Sequence, residues 1–314
     1  MVRYALADQG QVSYGVEATP YTKEAAAKYF GLLSEDIEFP GGQNPQTRLK
    51  ARGTKRGPYI HSPDIKEYGW PMPIIPIDHN IPLEIAIGER LITSETGYDK
   101  HLFKESDILQ TATIEHVQKD LDFAEWFIGS KASISSMKAA VGDPVSIDMD
   151  ITSAKHEFDD TGGHTPPILG LPKKTPFMFW MVCGVEYGAK EIATINSFDV
   201  SIDNGLTPRH HGCNREAYTI VEDTSADKYE VTLGIDIVDT DLFKEAAEDG
   251  ALKNLTIPIP RRVDTGVMVD GMIIRLEDCK IPEANIPSPA QGPVETDITV
   301  LPLGIEIEIR TPTT

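Results

Sequence analysis

Cysteine is scarce in this chain, and its three residues, Cys183, Cys213 and Cys279, are too few and too scattered for a disulfide framework or a four-cysteine zinc site. That usage points to a chain made in a reducing compartment. Apolar runs are short, the longest lying near Phe177 to Val185, and Met1 to Asp8 carries no apolar signal core, so neither a membrane span nor a signal peptide is expected. Basic charge is in deficit: 29 Lys and Arg stand against 49 Asp and Glu over 314 residues, a net charge of −20. Such a chain repels phosphate at long range, which excludes a conventional nucleic-acid reader. Solubility or a saline habitat would account equally well for the excess. Aromatics make up 7%, with Trp70, Trp126 and Trp180 dispersed, so no aromatic platform for sugars is visible. Nucleophile and nucleotide motifs are missing: there is no G-x-S-x-G, no P-loop, no G-x-G-x-x-G after a strand and no H-E-x-x-H.

What is present reads mainly as strands. Ser146 to Thr152, Phe198 to Asp203, Tyr229 to Val238, Met272 to Leu276, Thr296 to Val300 and Gly304 to Arg310 mostly alternate polar with apolar residues. Period two places one face of each strand in a core and the other in water or against a partner. Helix is expected only over Thr22 to Phe30, Leu121 to Ile128 and Thr240 to Asp249, each followed by Gly31, Gly129 or Gly250. With 40% hydrophobic residues a core can form, and the fold class is mainly β with short flanking helices.

Two stretches lack a regular pattern, residues 39–82, punctuated by prolines such as Pro40, Pro45 and Pro58, and Glu157 to Pro176. A boundary placed in the second gives two regions, 1–160 (with the long arm loop 39–82) and 161–314. They share an order of elements: a helix, a strand, a turn with Gly then Pro-Val, and an alternating acidic strand. LDFAEWFIG, the strand after it and GDPVSIDMDI in the first stand against DLFKEAAEDG, MIIRLEDCKI and GPVETDITV in the second. This predicts two tandem copies of about 150 residues, a comfortable size for a small β domain.

Candidate chemistry is sparse. His210, His211 and Cys213 sit in one stretch that could hold a soft metal but reads better as a turn between strands. The acidic run His156 to Asp160 offers oxygen ligands for calcium without the EF-hand spacing. Residues i and i+2 of a strand share a face, so Asp148 with Asp150 and Glu306 with Glu308 form acidic stripes. A glycosidase needs two carboxylates about 5 to 10 Å apart in a cleft, but nothing else in the sequence supports one. No cofactor or metal is expected. The basic run Arg48 to Arg56, with Arg48, Lys50, Arg52, Lys55 and Arg56, opposes the global charge and reads as a solvated loop or as an arm docking on an acidic neighbour.

Taken in order, several segments resemble the tail tube proteins of tailed bacterial and archaeal viruses. They are Tyr14-Gly15-Val16-Glu17-Ala18-Thr19-Pro20, Thr113-Ile114-Glu115, and Asp122-Phe123 to Gly129-Ser130-Lys131. The others are Ser197-Phe198-Asp199-Val200-Ser201-Ile202-Asp203-Asn204 and the strand from Tyr229 that runs into Asp239-Thr240-Asp241-Leu242-Phe243. The likeness covers roughly residues 10 to 300. It implies a β-sandwich or partly open barrel flanked by a helix, whose strands join a β-barrel shared between subunits. It implies a non-enzymatic virion protein that stacks as rings into a hollow tail tube, assembled in the host cytoplasm and conducting DNA during ejection. Asp148, Asp150, Glu306 and Glu308 become candidates to line the lumen, and the Arg48 to Arg56 arm a candidate contact between rings or neighbours. Implied partners are other copies of the chain, as a trimer with pseudo-sixfold symmetry or a hexamer, the tape-measure protein and DNA in the lumen, and the tail terminator and tip or baseplate proteins. The alternative is a carbohydrate- or surface-binding β-sandwich, such as an adhesin or a capsid decoration protein.

Overall fold

The computed structural model describes residues 10–34, 36–41, 46–50, 59–159, 164–166, 174–180, 186–188, 190–191, 195–212, 214–223, 228–236, 252–264, 266–282 and 295–313. Up to residue 105 the strands are β1 (Gly10–Val16), β2 (Lys28–Tyr29), β3 (Leu32–Leu33), β4 (Gln46–Lys50), β5 (Tyr59–Pro63), β6 (Tyr68–Ile75), β7 (Gly88–Glu95) and β8 (Tyr98–Glu105). There follow β9 (Ala112–Gln118), β10 (Phe123–Ala140), β11 (Ser146–Ser153), β12 (Lys155–Phe158), β13 (Glu186–Tyr187), β14 (Lys190–Glu191) and β15 (Ile195–Ile202). The rest are β16 (Thr207–His210), β17 (Ala217–Val221), β18 (Tyr229–Asp236), β19 (Lys253–Asp264), β20 (Val267–Cys279), β21 (Glu295–Val300) and β22 (Gly304–Pro312). The fold is mainly β, as its alternating segments predict.

β10 organises the molecule because it belongs to two sheets. Its first part lies in a first flank sheet of order β2-β1-β9-β10-β12, and its second part in a central sheet of order β3-β6-β11-β10-β15-β18-β21. The strand passes from one to the other at Gly129, whose φ of 68° suits glycine and where a Cβ would come within 2.3 Å of the Tyr21 ring. A second flank sheet has the order β14-β13-β19-β20-β22-β8-β7. Inward side chains of all three sheets, among them Tyr14, Phe103, Phe127, Ile147, Val200, Ile274 and Ile307, meet in one buried cluster.

The register repeats along the chain. Glu125↔Phe158, Trp126↔Glu157, Phe127↔His156 and Ile128↔Lys155 join β10 to β12; Ile274↔Ile307, Arg275↔Glu306, Leu276↔Ile305 and Glu277↔Gly304 join β20 to β22. Every number rises by 149, since 274 − 125 = 307 − 158. The pair Lys131↔Thr152 reappears at the same shift as the bridge Lys280↔Leu301. Gly129 corresponds to Asp278, one of three non-glycine residues with positive φ among the described residues, at 49°. In the central sheet β3-β6-β11 is matched by β15-β18-β21, with Leu33↔Ile74 and Trp70↔Ile151 answering to Ile195↔Ile235 and Val231↔Val300.

The expected helices are corrected where they can be seen. Residues 22–30 form no helix: 22–27 are irregular and lead into β2, which pairs with β1, and they pack so closely that a Cβ on Gly15 would lie 2.1 Å from the Ala25 carbonyl oxygen. Tertiary pairing overrides the helix propensity of the alanine run. Leu121 to Ile128 is a single 3-10 turn, Lys119–Leu121, and then the start of β10. Ala124, Trp126 and Ile128 pack on one face with Val117 while Phe127 enters the main core on the other, and burial on both faces erases the period-two signal. Thr240 to Asp249 lies outside the described residues. The proline-rich stretch 39–82 contains the hairpin β4–β5 and the regular strand β6, whose Trp70, Met72 and Ile74 are buried between the outward Pro71 and Pro73. Proline is tolerated there because, among the described residues, β3 and Ser34 cover β6 only from Pro73 to Ile75, leaving the rest an edge.

Candidate functional site

Alternation in the central sheet sends its apolar residues to the core and a different set outward. Across five neighbouring strands, β11, β10, β15, β18 and β21, the register sets Asp148 opposite Ser136, Asp199 opposite Lys138 and Thr232, Glu230 opposite Ser201, and Asp297 opposite Gly234. With Asp150 these are five carboxylates on one face; Asp150, Glu230 and Asp297 are exposed, and Asp148 and Asp199 half-buried. The interleaved residues are small or hydroxylated, Ser133, Ser135, Ser136, Ser146, Thr152, Ser197, Ser201, Thr232 and Thr299. Ser136 donates to Asp199 Oδ1 at 2.8 Å, and Lys138 Nζ lies 3.4 Å from Asp148 Oδ2 with both side chains well exposed, a contact worth under about 1 kcal/mol. The charge of this face is thus largely uncompensated. Asp148 and Asp150 were legible from sequence. Asp199, Glu230 and Asp297 were missed, although the same alternation in FDVSID, YEVTLGID and ETDITV carries them.

Glu306 and Glu308 fall elsewhere, on β22 in the second flank sheet. Glu308 is fully buried, and three cations close around its carboxylate: Arg310 Nε at 2.5 Å, Arg275 Nη1 at 2.6 Å and Lys100 Nζ at 3.3 Å. Burial pushes its carboxyl up, but Arg310 and Arg275 outweigh that and hold it below the ordinary carboxylate range. Glu306, half-buried, lies opposite Arg275 and Lys104. The two stripes read alike from sequence differ in kind, one open and acidic, the other with Glu308 buried and neutralised within the chain.

Of the basic arm, Arg48 and Lys50 lie on β4, in the β4–β5 hairpin, and Arg52, Lys55 and Arg56 lie outside the described residues. Cys213 also lies outside them; His211 stacks on Tyr218 with ring centres 4.1 Å apart. The acidic run from His156 forms β12, where Glu157 pairs with Lys23 at 3.3 Å.

A titratable cluster that the sequence reading did not pick out occupies the first flank sheet. Glu125, 3% exposed, has His116 Nδ1 2.8 Å from one carboxylate oxygen and His156 Nε2 2.8 Å from the other. Burial raises the Glu125 carboxyl, and the hydrogen bonds donated by the two imidazoles more than offset it, leaving it below the ordinary range. Phe39 stacks on His116 at 4.3 Å, and Gly41 approaches so closely that a Cβ would sit 2.0 Å from Glu125 Oε2. The cluster therefore pins residues 39–41, at the base of the β4–β5 hairpin, to the sheet. No group of three or more His, Cys, Asp or Glu among the described residues is arranged to hold a metal ion.

What the fold presents is a broad charged sheet surface backed by a continuous apolar core. Residues 7–300 match the phage tail tube protein family, and the chain belongs to that family. It is accordingly a structural component of the virion tail. No curated protein matches the chain at a significant level.

Proposed function

We propose that the chain polymerises as stacked rings into a hollow tube, with the carboxylate-bearing face of the central sheet turned to the lumen. The observation that carries this reading is the set Asp148, Asp150, Asp199, Glu230 and Asp297 on one face of adjoining strands, embedded in serine and threonine. A wall of fixed negative charge repels phosphates, so DNA passes without adhering, and hydroxyl groups keep the wall wetted. Glu308 would play no part in that wall, because its charge is already balanced within the chain. The tape-measure protein would occupy the lumen before DNA, and terminator and tip proteins would cap the tube.

Two tandem units, divided near residue 160, would build the ring. The register shift of 149 residues supports them, as does the order of the central sheet, in which β3, β6, β11 and β10 precede β15, β18 and β21. Two units side by side in one chain favour three chains with pseudo-sixfold symmetry over six. The basic run Arg48 to Arg56, which begins on β4, would contact the next ring, and its neutralisation is expected to leave rings but abolish stacking. The face has no aromatic residue at its described outward positions, which weighs against a sugar-binding sandwich.

Electron microscopy over a protein-concentration and salt series tests the proposal. Hollow tubes with threefold end-on averages are expected; a dispersed monomer at every concentration would overturn the tube, and a true sixfold average the trimer.

A further inference from the structure

Corresponding positions in the two halves of the chain differ in what covers them. Ile307 on β22 is fully buried, with β8 lying along the outer edge of that strand and Phe103 opposite Ile307. Its counterpart 149 residues earlier, Phe158 on β12, is 42% exposed, and among the described residues nothing pairs with the outer edge of β12. The second contrast is in the central sheet. Ile195 on β15 is 3% exposed where that strand runs beside the end of β10, with Ala140 opposite Ser197 and the Val141 N–H donating to the Asn196 carbonyl at 2.9 Å. Leu33 on β3 corresponds to Ile195 and lies opposite the buried Ile74, yet it is 43% exposed, and nothing described pairs with the outer edge of β3.

Both covered edges belong to the later half, and both covering strands, β8 and β10, come from the earlier half. Both bare edges belong to the earlier half. Among the described residues the covering therefore has a direction and is left incomplete at one end.

We propose that the outer edges of β3 and β12, with Leu33 and Phe158, are the docking surface for a second copy of this chain, whose later half covers them as the earlier half covers β15 and β22 within one chain. This rests on the ring reading above and specifies its joint. The contact is head to tail, because the bare end of one copy meets a different surface of the next, and such contacts close into rings when the rotation per step divides the circle. Bare strand edges with apolar residues are liable to misassociation unless covered, which gives the joint its driving force.

The test places a photo-cross-linking amino acid at position 158, and separately at 33, in full-length chains assembled from a mixture of isotopically light and heavy copies. Cross-linked peptides joining light to heavy copies, with the partner peptide from residues 161–314, are expected. Rings that cross-link instead to residues before 160 of the other copy, or rings without cross-links between copies, would overturn the joint and leave the ring reading intact. Absence of rings at any concentration would overturn both. As a second variant, L33E combined with F158E is expected to lower the assembled fraction at least tenfold while the unassembled chain keeps its cooperative melt; undiminished assembly would sink the proposal.

Discussion

The two flank sheets share strand order and register but are filled differently. Where the first has His116, Glu125 and His156, the second has Ile257, Ile274 and Ile305 at the corresponding positions. All three isoleucines are buried. One framework thus holds a hydrogen-bonded polar triad in one sheet and an apolar one in the other. A buried carboxylate bridged by two imidazoles is satisfied only as a set, while isoleucines need only fit the volume. The polar version also holds Phe39 and Gly41, and with them the hairpin carrying Arg48 and Lys50.

Breaking the set in one sheet is expected to have the largest effect. E125A leaves two ring N–H groups without their acceptor and should lower unfolding free energy by about 3 kcal/mol, measured by urea denaturation. Replacing all three residues, as in H116I with E125I and H156I, should cost under about 1.5 kcal/mol if the sheets are as alike as their register. A triple variant no more stable than E125A would show that the first sheet cannot take the second's interior.

Next in size is the point where β10 passes between sheets, Gly129, with its register counterpart Asp278 on β20. Gly129→Asp imports the residue found at 278, but its Cβ meets the Tyr21 ring, and a loss of about 1–3 kcal/mol is expected in the same assay. Asp278→Gly is the reverse exchange and should be neutral or stabilising by under about 1 kcal/mol, because it relieves a side chain at φ 49°.

Acid titration separates the two regions by pH. Glu125 is held below its ordinary range, so its contribution is present above the unfolded value of about 4.3 and fades as pH falls through the lower folded value. His101, on β8 in the second flank sheet, is lowered to about 4 by burial, by His79 stacked 3.9 Å from it and by Arg90. Its unfolded value is about 6.5, so its contribution declines from about pH 6.5 down to about pH 4. Thermal melts across this range should show H101Q flattening the upper part of the decline and the isoleucine triple variant the lower part. Coincident changes in both variants would contradict the separation.

The smallest effect is expected on the central face. Asp148→Asn and Asp150→Asn should change stability by under about 0.5 kcal/mol, since their side chains point outward. Contrast comes from Glu308→Gln, which weakens three cation contacts at a buried site and should cost more than both together.

The sequence was most legible where a strand has one wet face. SIDMDIT, FDVSID and GIEIEIR became β11, β15 and β22 almost as bounded, and YEVTLGIDIV became β18 as far as its described residues, because alternation records a core on one side only. LDFAEWFI failed for the converse reason, being buried on both faces, and its register counterpart is the strand from Met272 to Glu277 rather than the segment DLFKEAAEDG. The Glu125 cluster was invisible because its residues come from β9, β10 and β12, and nothing local marks their meeting.

By itself the sequence determined the mainly β class, the faces of the one-sided strands and the excess of acid. Whether an acidic stripe stays charged toward solvent was decided only by tertiary structure. Asp148 and Asp150 lie among serines and prolines, whereas Glu308 meets Lys100 from a strand 208 positions earlier (308 − 100), and Arg275 from another. Alternation is a property of one strand, written in adjacent residues; compensation of a charge is a property of neighbouring strands, and which strands are neighbours is fixed by the sheet.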